Sequence, residues 1–502
     1  MIKTEYTVHS SSKGTTRRIS KYFVLFWWIL SLSLPVLFLN MNQVKMSGSM
    51  LLSIGLWLLM AAGLFVFISR WSFSAILGRQ FDILEIPVYL GLTSIFLIQV
   101  FGLAPYFDAK YLRFLPSVSY LPSGLLLTGT GFFSMLFGYA LVSKSYKPDP
   151  TQSLNKSYDT PSLTLTFFVY VGLLFLRLGL IALGGGEMIL GSTVIRVGGD
   201  SWYQWFGYLM ETRWFFIALV SLQVFSGRWP RQIFIFVVLI ETTMAVVSGW
   251  SSLLPKIVVL VLGCLIYARQ KLPWRPLLLA VIVVIAVIIF SVPITRHLRY
   301  AGQLTFSKVN DSILATWGEG FDNGWNIFSD LMIQRQTATA QTPAILLYLI
   351  PETLPYLPWQ ELAVAPITFI PRVIWPSKPV YTNLGSWLMI EVFGGTEGGG
   401  SAAVTIAGNA YMYGGWFVVV IGMFIIGIVT GLFYRWFAIP GLLNNQMGLL
   451  AVYAGVVIAN FHLGEGDFVS IWQGLVQRTL VFLVVAWFLC AKVGAPTIRK
   501  FS

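Results

Sequence analysis

The stretch NFHLGEGDF sets an imidazole and two carboxylates, His462, Glu465 and Asp467, within six positions. Groups of this kind can accept a proton from a hydroxyl during transfer chemistry. The plainer reading is a short solvated turn. A second stretch, TRHLRYAG, places Arg296, His297, Arg299 and Tyr300 where an apolar run ends. Arginine and tyrosine favour that depth as interfacial anchors. A guanidinium also pairs bidentately with phosphate oxygens, so a diphosphate clamp is the functional reading. In PRVIWPSKP, the prolines Pro371, Pro376 and Pro379 flank Arg372 and Lys378. A turn explains the prolines, but it leaves both cations unexplained.

Further candidates are more scattered. The glycine-rich GTEGGGSAAVTIAGNAYMYGG brings Glu397, Asn409, Tyr411 and Tyr413, and its glycines permit close backbone approach to a ligand. Arg196 lies in GGGEMILGSTVIRVGGDSWYQWFG, with glycines at both ends. Arg478 lies inside an apolar run, as do Arg177, Glu211, Arg213, Glu241 and Lys256. Charges within a membrane span serve function or pair internally. For Glu211 and Arg213, ion pairing inside a helix bundle is one sufficient explanation.

Several chemistries find no pattern. No HExxH or Asp-x-Asp occurs, and the three histidines include only His297 and His462 outside the N-terminal tail. No metal and no cofactor is expected. No strand-like run precedes the glycine-rich stretch and no Gly-Lys-Ser/Thr follows it, so it is not a nucleotide loop. Cys264 and Cys490 both fall in apolar runs and read as small core residues. The stretch NMNQVKMSGS carries no carboxylate, which disfavours membrane glycosyltransferases with a catalytic acid in their first outer loop.

The elements that must position these residues are membrane helices. Of the 502 residues, 56% are hydrophobic and 11% charged, against about a quarter charged in soluble domains. Apolar runs long enough to cross a bilayer fall at roughly 22–39, 50–69, 84–104, 120–142, 162–183, 208–226, 232–249, 252–268, 276–294, 414–434, 446–461 and 470–490. The expected fold is an all-α polytopic membrane protein of about 12 transmembrane helices. No cleavable signal peptide is expected, since the first run follows a polar, basic stretch.

Charge sets the orientation. With the N-terminus inside, the inner segments collect Lys13, Arg17, Arg18, Arg70, Arg79, Lys144, Lys147, Arg228, Arg231, Arg269, Lys271 and Arg275 among others. The short outer loops hold Lys45, Lys110, Arg113 and Arg196. Both termini are therefore expected in the cytoplasm. This also accounts for much of the +13 net charge without nucleic acid. The expected organisation is a tail (1–21), helices 1–9 (22–294), a long outer loop (295–413), helices 10–12 (414–490) and a tail (491–502). A long loop crosses regardless of its charge, so topology does not explain Arg296, Arg299, Lys308, Arg335, Arg372 and Lys378 within it. The loop's apolar stretches TPAILLYLIPETLPYLPW and WQELAVAPITFIPRVIW are expected to lie along the membrane or re-enter it.

The helix number, the late outer loop, IPRVIWPSKP, the glycine-rich stretch and GNAYMYGGWFVVVIG resemble the Wzy-type O-antigen polymerases, which join oligosaccharide repeat units. The resemblance centres on residues 290–435. Some members carry an Arg, ten residues and a Gly in outer loops; Arg196 and Gly207 fit that spacing, and no arginine of the long loop does. The resemblance implies a GT-C-like glycosyltransferase architecture in the bacterial inner (plasma) membrane, active at the periplasmic or outer face. It implies donor and acceptor glycans linked to undecaprenyl diphosphate, release of undecaprenyl diphosphate, and contact with membrane lipids and a chain-length regulator protein. Fixed guanidinium groups suit a diphosphate leaving group, which points to Arg296, Arg299, Arg372 and Lys378, then Arg196 and Arg478. Tyr300, Asn409 and Tyr411 complete the substrate-binding set, and His462, Glu465 and Asp467 are the expected catalytic group. The nearest rival is an O-antigen ligase with a lipid A core acceptor. A lipid-linked oligosaccharide flippase is the rival of another class.

Overall fold

The computed structural model describes residues 48–73, 119–143, 161–180, 202–247, 253–269, 286–294 apart from 288, 306–364 apart from 319, 374–377, 384–394, 404–443, 446–457 and 468–490, with 103, 367 and 370 as single positions. Helices dominate these residues, and no strand occurs among them. The long elements are α1 (Gly48–Phe73), α2 (Leu121–Ser143), α3 (Leu163–Leu180), α4 (Trp202–Phe225), α5 (Arg231–Val247) and α6 (Leu253–Arg269). Then come α7 (Phe306–Trp317), α8 (Phe321–Leu349), short α9 (Gln360–Val364) and α10 (Leu384–Glu391), and α11 (Ile406–Phe433). A π-helical turn (Tyr434–Ala438), α12 (Ile439–Leu443), α13 (Met447–Val457) and α14 (Phe468–Leu489) finish the chain. Two helical stretches, Leu121–Val142 and Ile406–Gly441, are long and apolar enough to cross a membrane.

The helices form two groups. In the first, α2 lies along α11, and α8 and α1 pack against α2. Glycine makes the α2–α11 contact possible. A Cβ at Gly138 would overlap the Phe424 carbonyl oxygen, and one at Gly427 would overlap the Met135 carbonyl oxygen. Gly431, one turn after Gly427, faces the Tyr139 carbonyl oxygen, 3.1 Å from where a Cβ would lie. In a bilayer, lipid tails are as apolar as leucine, so such close backbone approach carries the packing. In the second group, α4 is the hub. It touches α3, α5, α6, α13 and α14, and Trp214, Phe215 and Phe216 on it are almost wholly buried. Four buried tyrosine rings, Tyr139, Tyr434, Tyr453 and Tyr267, follow one another at 6.3, 5.9 and 6.2 Å between centroids and tie the groups together.

The region expected as an outer loop holds α7 to α10. Its longest element, α8, runs 29 residues, and TPAILLYLI does not lie on a surface. Ala344, Ile345 and Leu346 are fully buried, and the Ala344 backbone sits where a side chain at Gly124 of α2 would go. The chain turns extended at Ile350. Helix α11 starts at Ile406, earlier than the apolar run at 414, because Thr405 caps it by accepting from the Gly408 N–H at 3.1 Å. It breaks at Gly415, whose φ of 65° suits glycine. There a side chain would crowd the Tyr356 hydroxyl.

Candidate functional site

Charged residues of five helices meet in the second group. Arg177 near the end of α3 donates through Nη1 to both oxygens of Glu241 on α5, at 3.2 and 2.9 Å. The Tyr170 hydroxyl of α3 donates to Glu241 Oε1 at 3.1 Å. Both charged side chains are at most 5% exposed. Taking two such ions from water is costly, and only good geometry with added hydrogen bonds offsets it. This trio has both.

On α4, Glu211 is the shared acceptor. Arg478 of α14 meets its Oε2 at 2.8 Å, the Trp214 Nε1–H donates to Oε2 at 2.9 Å, and Arg213 approaches Oε1 at 3.7 Å. Lys256 of α6 adds to the field at Glu211. Arg213 and Lys256 both lie near the ring of Trp214, at 4.8 and 5.7 Å from its centroid, a geometry of cation–π attraction. Arg213 also connects the two centres, interacting with Glu211 and Arg478 and with Arg177 and Glu241. The result is four cations beside two carboxylates, gathered from α3, α4, α5, α6 and α14.

The helices give this cluster a location. Glu211 and Arg213 of α4, Glu241 of α5 and Arg478 of α14 lie near the middle of their helices, with Arg177 towards the end of α3 and Lys256 in the first turn of α6. The turn Ser226–Pro230 joins the end of α4 to the start of α5, away from the cluster. Arg228 and Arg231 are at that turn. A small cleft of about 20 Å³ lies between α3, α4 and α5. Tyr170, Arg177, Arg213 and Glu241 line one part of it, and Leu173 and Leu209 another. A cleft of this size has room for about one water molecule beside the ions.

Of the residues expected to do chemistry, Arg478 stands in this cluster. Asn409 and Tyr411 are buried at the start of α11. The Tyr411 hydroxyl donates to the Ile350 carbonyl at 3.2 Å, and its ring meets Tyr356 edge-on at 6.2 Å. Its neighbour Tyr413 donates to Glu361 at 3.1 Å, and the Leu357 N–H donates to the Met412 carbonyl at 2.8 Å. These contacts hold the segment from Ile350 to Glu361 against α11. Around PRVIWPSKP, residues 374–377 form a turn in which Trp375 Nε1 donates to Ser377 Oγ at 3.1 Å. Arg196, Arg296, Arg299, Tyr300, Arg372, Lys378, His462, Glu465 and Asp467 lie outside the described residues. Among the described residues no group of three or more His, Cys, Asp or Glu could hold a metal.

Sequence reasoning flagged each ion of the cluster separately and missed their convergence. It also missed Tyr170 and Trp214, since nothing marks them among 21 tyrosines and 19 tryptophans.

A family model described as a domain of unknown function, DUF8712, matches residues 206–436. That segment runs from α4 through the loop helices to α11 and the π-helical turn. Neither the polymerase family resembled above nor the ligase family matches. No curated protein and no solved structure matches the chain.

Proposed function

We propose that the chain is a membrane glycosyltransferase. It polymerises oligosaccharide repeat units carried on undecaprenyl diphosphate, at the outer face of the bacterial plasma membrane. The growing glycan passes to a sugar hydroxyl of the acceptor unit. The glycosidic bond to the donor's diphosphate breaks, the new one forms, and undecaprenyl diphosphate leaves with the electron pair.

The observation that carries this reading is the cation excess buried among the α4-centred helices. The basic α4–α5 turn marks one end of these helices, and positive residues favour the cytoplasmic side. The cluster then lies within the helices beyond the cytoplasmic end, and in this reading a lipid diphosphate reaches it from the outer side. Preorganised guanidinium groups in a water-poor site stabilise charge as it develops on a leaving group. The expected outer cations Arg196, Arg296, Arg299, Arg372 and Lys378 belong to the same function. The segment with His462, Glu465 and Asp467 joins α14 at Phe468, ten residues before Arg478, or about 15 Å along a helix. It supplies the base for the acceptor hydroxyl.

The flippase reading gains from the same cluster, because a transporter also needs charges between helices. A transporter has no need of the long segment 295–413 with cations that topology does not explain, and that favours the enzyme. The test is reconstitution of the purified full chain with a lipid-diphosphate-linked repeat unit. A ladder of polymer lengths establishes the polymerase. Transfer only onto added lipid A core establishes a ligase. Transbilayer movement of the lipid without new linkages establishes the flippase.

A further inference from the structure

Five aromatic rings follow one another across α7 and the first half of α8. Phe290, in the helical stretch that ends at Ile294, lies 4.7 Å from Trp317 between ring centroids. Trp317 is followed by Phe321 at 5.9 Å, Trp325 at 6.3 Å and Phe328 at 5.6 Å. The planes of Phe321 and Trp325 differ by only 16°. Phe290, Phe321 and Trp325 are 48%, 58% and 43% exposed. The series is nonetheless held in place. Trp317 Nε1 donates to the Phe290 carbonyl at 3.4 Å. Gly324 leaves room for the Trp317 ring, since a Cβ there would lie 2.0 Å from its Cε3. Helix α8 is anchored at its far end, where Ala344, Ile345 and Leu346 are buried. A surface fixed in this way loses little freedom when it binds.

The neighbours of these rings say what covers them. On α11, which is apolar and long enough to cross a membrane, the exposed residues are Trp416, Phe417, Val420, Ile421 and Ile425. All are apolar. In the first half of α8 the exposed residues are Phe321, Asp322, Trp325, Asn326, Asp330 and Gln334. Asp322 is three residues before Trp325 and four before Asn326, so ring, carboxylate and amide are neighbours on the helix surface. Carboxylates among lipid tails are costly, and this side does not face them. An interfacial anchor pairs its rings with lysine and arginine. None occurs between 311 and 334, whereas Asp311, Glu319, Asp322 and Asp330 do. The side suits a partner with an apolar face and hydroxyl donors at its rim. A pyranose has both: its C–H face stacks on an aromatic ring, and its hydroxyls donate to carboxylate and amide oxygens.

We infer that the rings from Phe290 to Phe328 form a track for the glycan of the lipid-linked repeat units, with Asp322 and Asn326 accepting from its hydroxyls. The carboxylates make it a track for a neutral chain. This rests on the reading of the chain as a polysaccharide polymerase, and it adds a binding surface on α7 and α8 to the ions of the α4 hub. A polymerase must keep the growing chain while one lipid carrier leaves. Several weak stacking sites in series do so through their combined hold.

The experiment uses the native repeat-unit glycan, cut from its lipid by mild acid. It is titrated onto the full chain in nanodiscs and followed by saturation-transfer NMR. The expected result is saturation of sugar C–H protons, with affinity about fivefold weaker in Trp325→Ala and in Phe321→Ala. Trp325→Phe keeps most of the affinity, and Phe417→Ala, exposed on α11, leaves it unchanged. Unchanged affinity in both alanine variants overturns the track and leaves the rings to lipid or to another protein. Absence of binding by the wild-type chain also overturns it, while a polymer ladder in the reconstitution would leave the enzymatic reading standing. Binding that depends on Trp325, with no ladder in the reconstitution, keeps the glycan surface and removes the polymerase. Should the ring variants fail to fold, Asp322→Ala decides. A loss of about tenfold, the scale of a hydrogen bond to a charged group, supports the track, and retained affinity overturns it.

Discussion

The α2–α11 seam and the α4 hub solve the same problem by opposite means. At the seam, glycines let backbones touch, and the side chains between them are apolar. At the hub, α4 carries Glu211 and Arg213 into a crowded set of helices and recruits Arg177, Glu241, Lys256 and Arg478 to accompany them. Packing alone never requires such ions. Replacing a buried ion pair by apolar residues is often neutral or stabilising. The proposed binding and chemistry are therefore assigned to the hub, and the seam serves architecture.

The largest effect is expected at the seam. Gly427→Leu drives a side chain into the Met135 carbonyl, and overpacking with a backbone clash destabilises by about 3 kcal/mol or more. Loss of a monodisperse, cooperatively melting protein in detergent is the predicted readout, and near-native melting would refute the seam's role. Next comes the scaffold pair. Arg177→Ala strands Glu241 without its cation, at a cost of about 3–5 kcal/mol. The thermal melt should show it, and Arg177→Met with Glu241→Leu together should recover most of the loss. Failure of the double variant to recover would mean that the pair does more than hold helices.

Smaller in stability and larger in function is Arg478→Ala. Glu211 is partly exposed, so water replaces some of the lost partner, and the melt should fall by about 1 kcal/mol. Polymerisation should fall by about 100-fold or more, as when one stabilising donor is removed from a transition state. Equal activity of the variant and the wild type would detach the hub from catalysis. The smallest change is Thr405→Ala, which removes the cap of α11 and should cost about 1 kcal/mol in the melt without altering product lengths.

Much of the helix content is legible in the sequence, for reasons that particular elements make plain. The runs at 120–142 and 470–490 match α2 and α14 to within a few residues, because an uninterrupted apolar run has few other solutions in a bilayer. Helix α8 was hidden. Its first half reads FDNGWNIFSDLMIQRQ, which has neither an apolar run nor a sharp amphipathic stripe. Its buried end follows from the fit of Ala344 against Gly124, a tertiary fact. The start of α11 was displaced for a local reason, since the Thr405 cap admits AGNAYMY into the helix. The charged residues of the hub were visible singly. Their meeting was not, because Arg177 and Glu241 are 64 positions apart and Arg478 comes from the final helix. Helix packing brings them together, and no local pattern encodes that.

The central claim is that the hub serves departure of a diphosphate from a lipid-linked glycan. Its most direct test counts undecaprenyl diphosphate released against glycosidic linkages formed, using the purified wild-type chain and one lipid-linked repeat unit. The account predicts one diphosphate lipid released for each linkage, with release and elongation lost together in Arg478→Ala. Lipid movement across the bilayer with neither release nor elongation would contradict it.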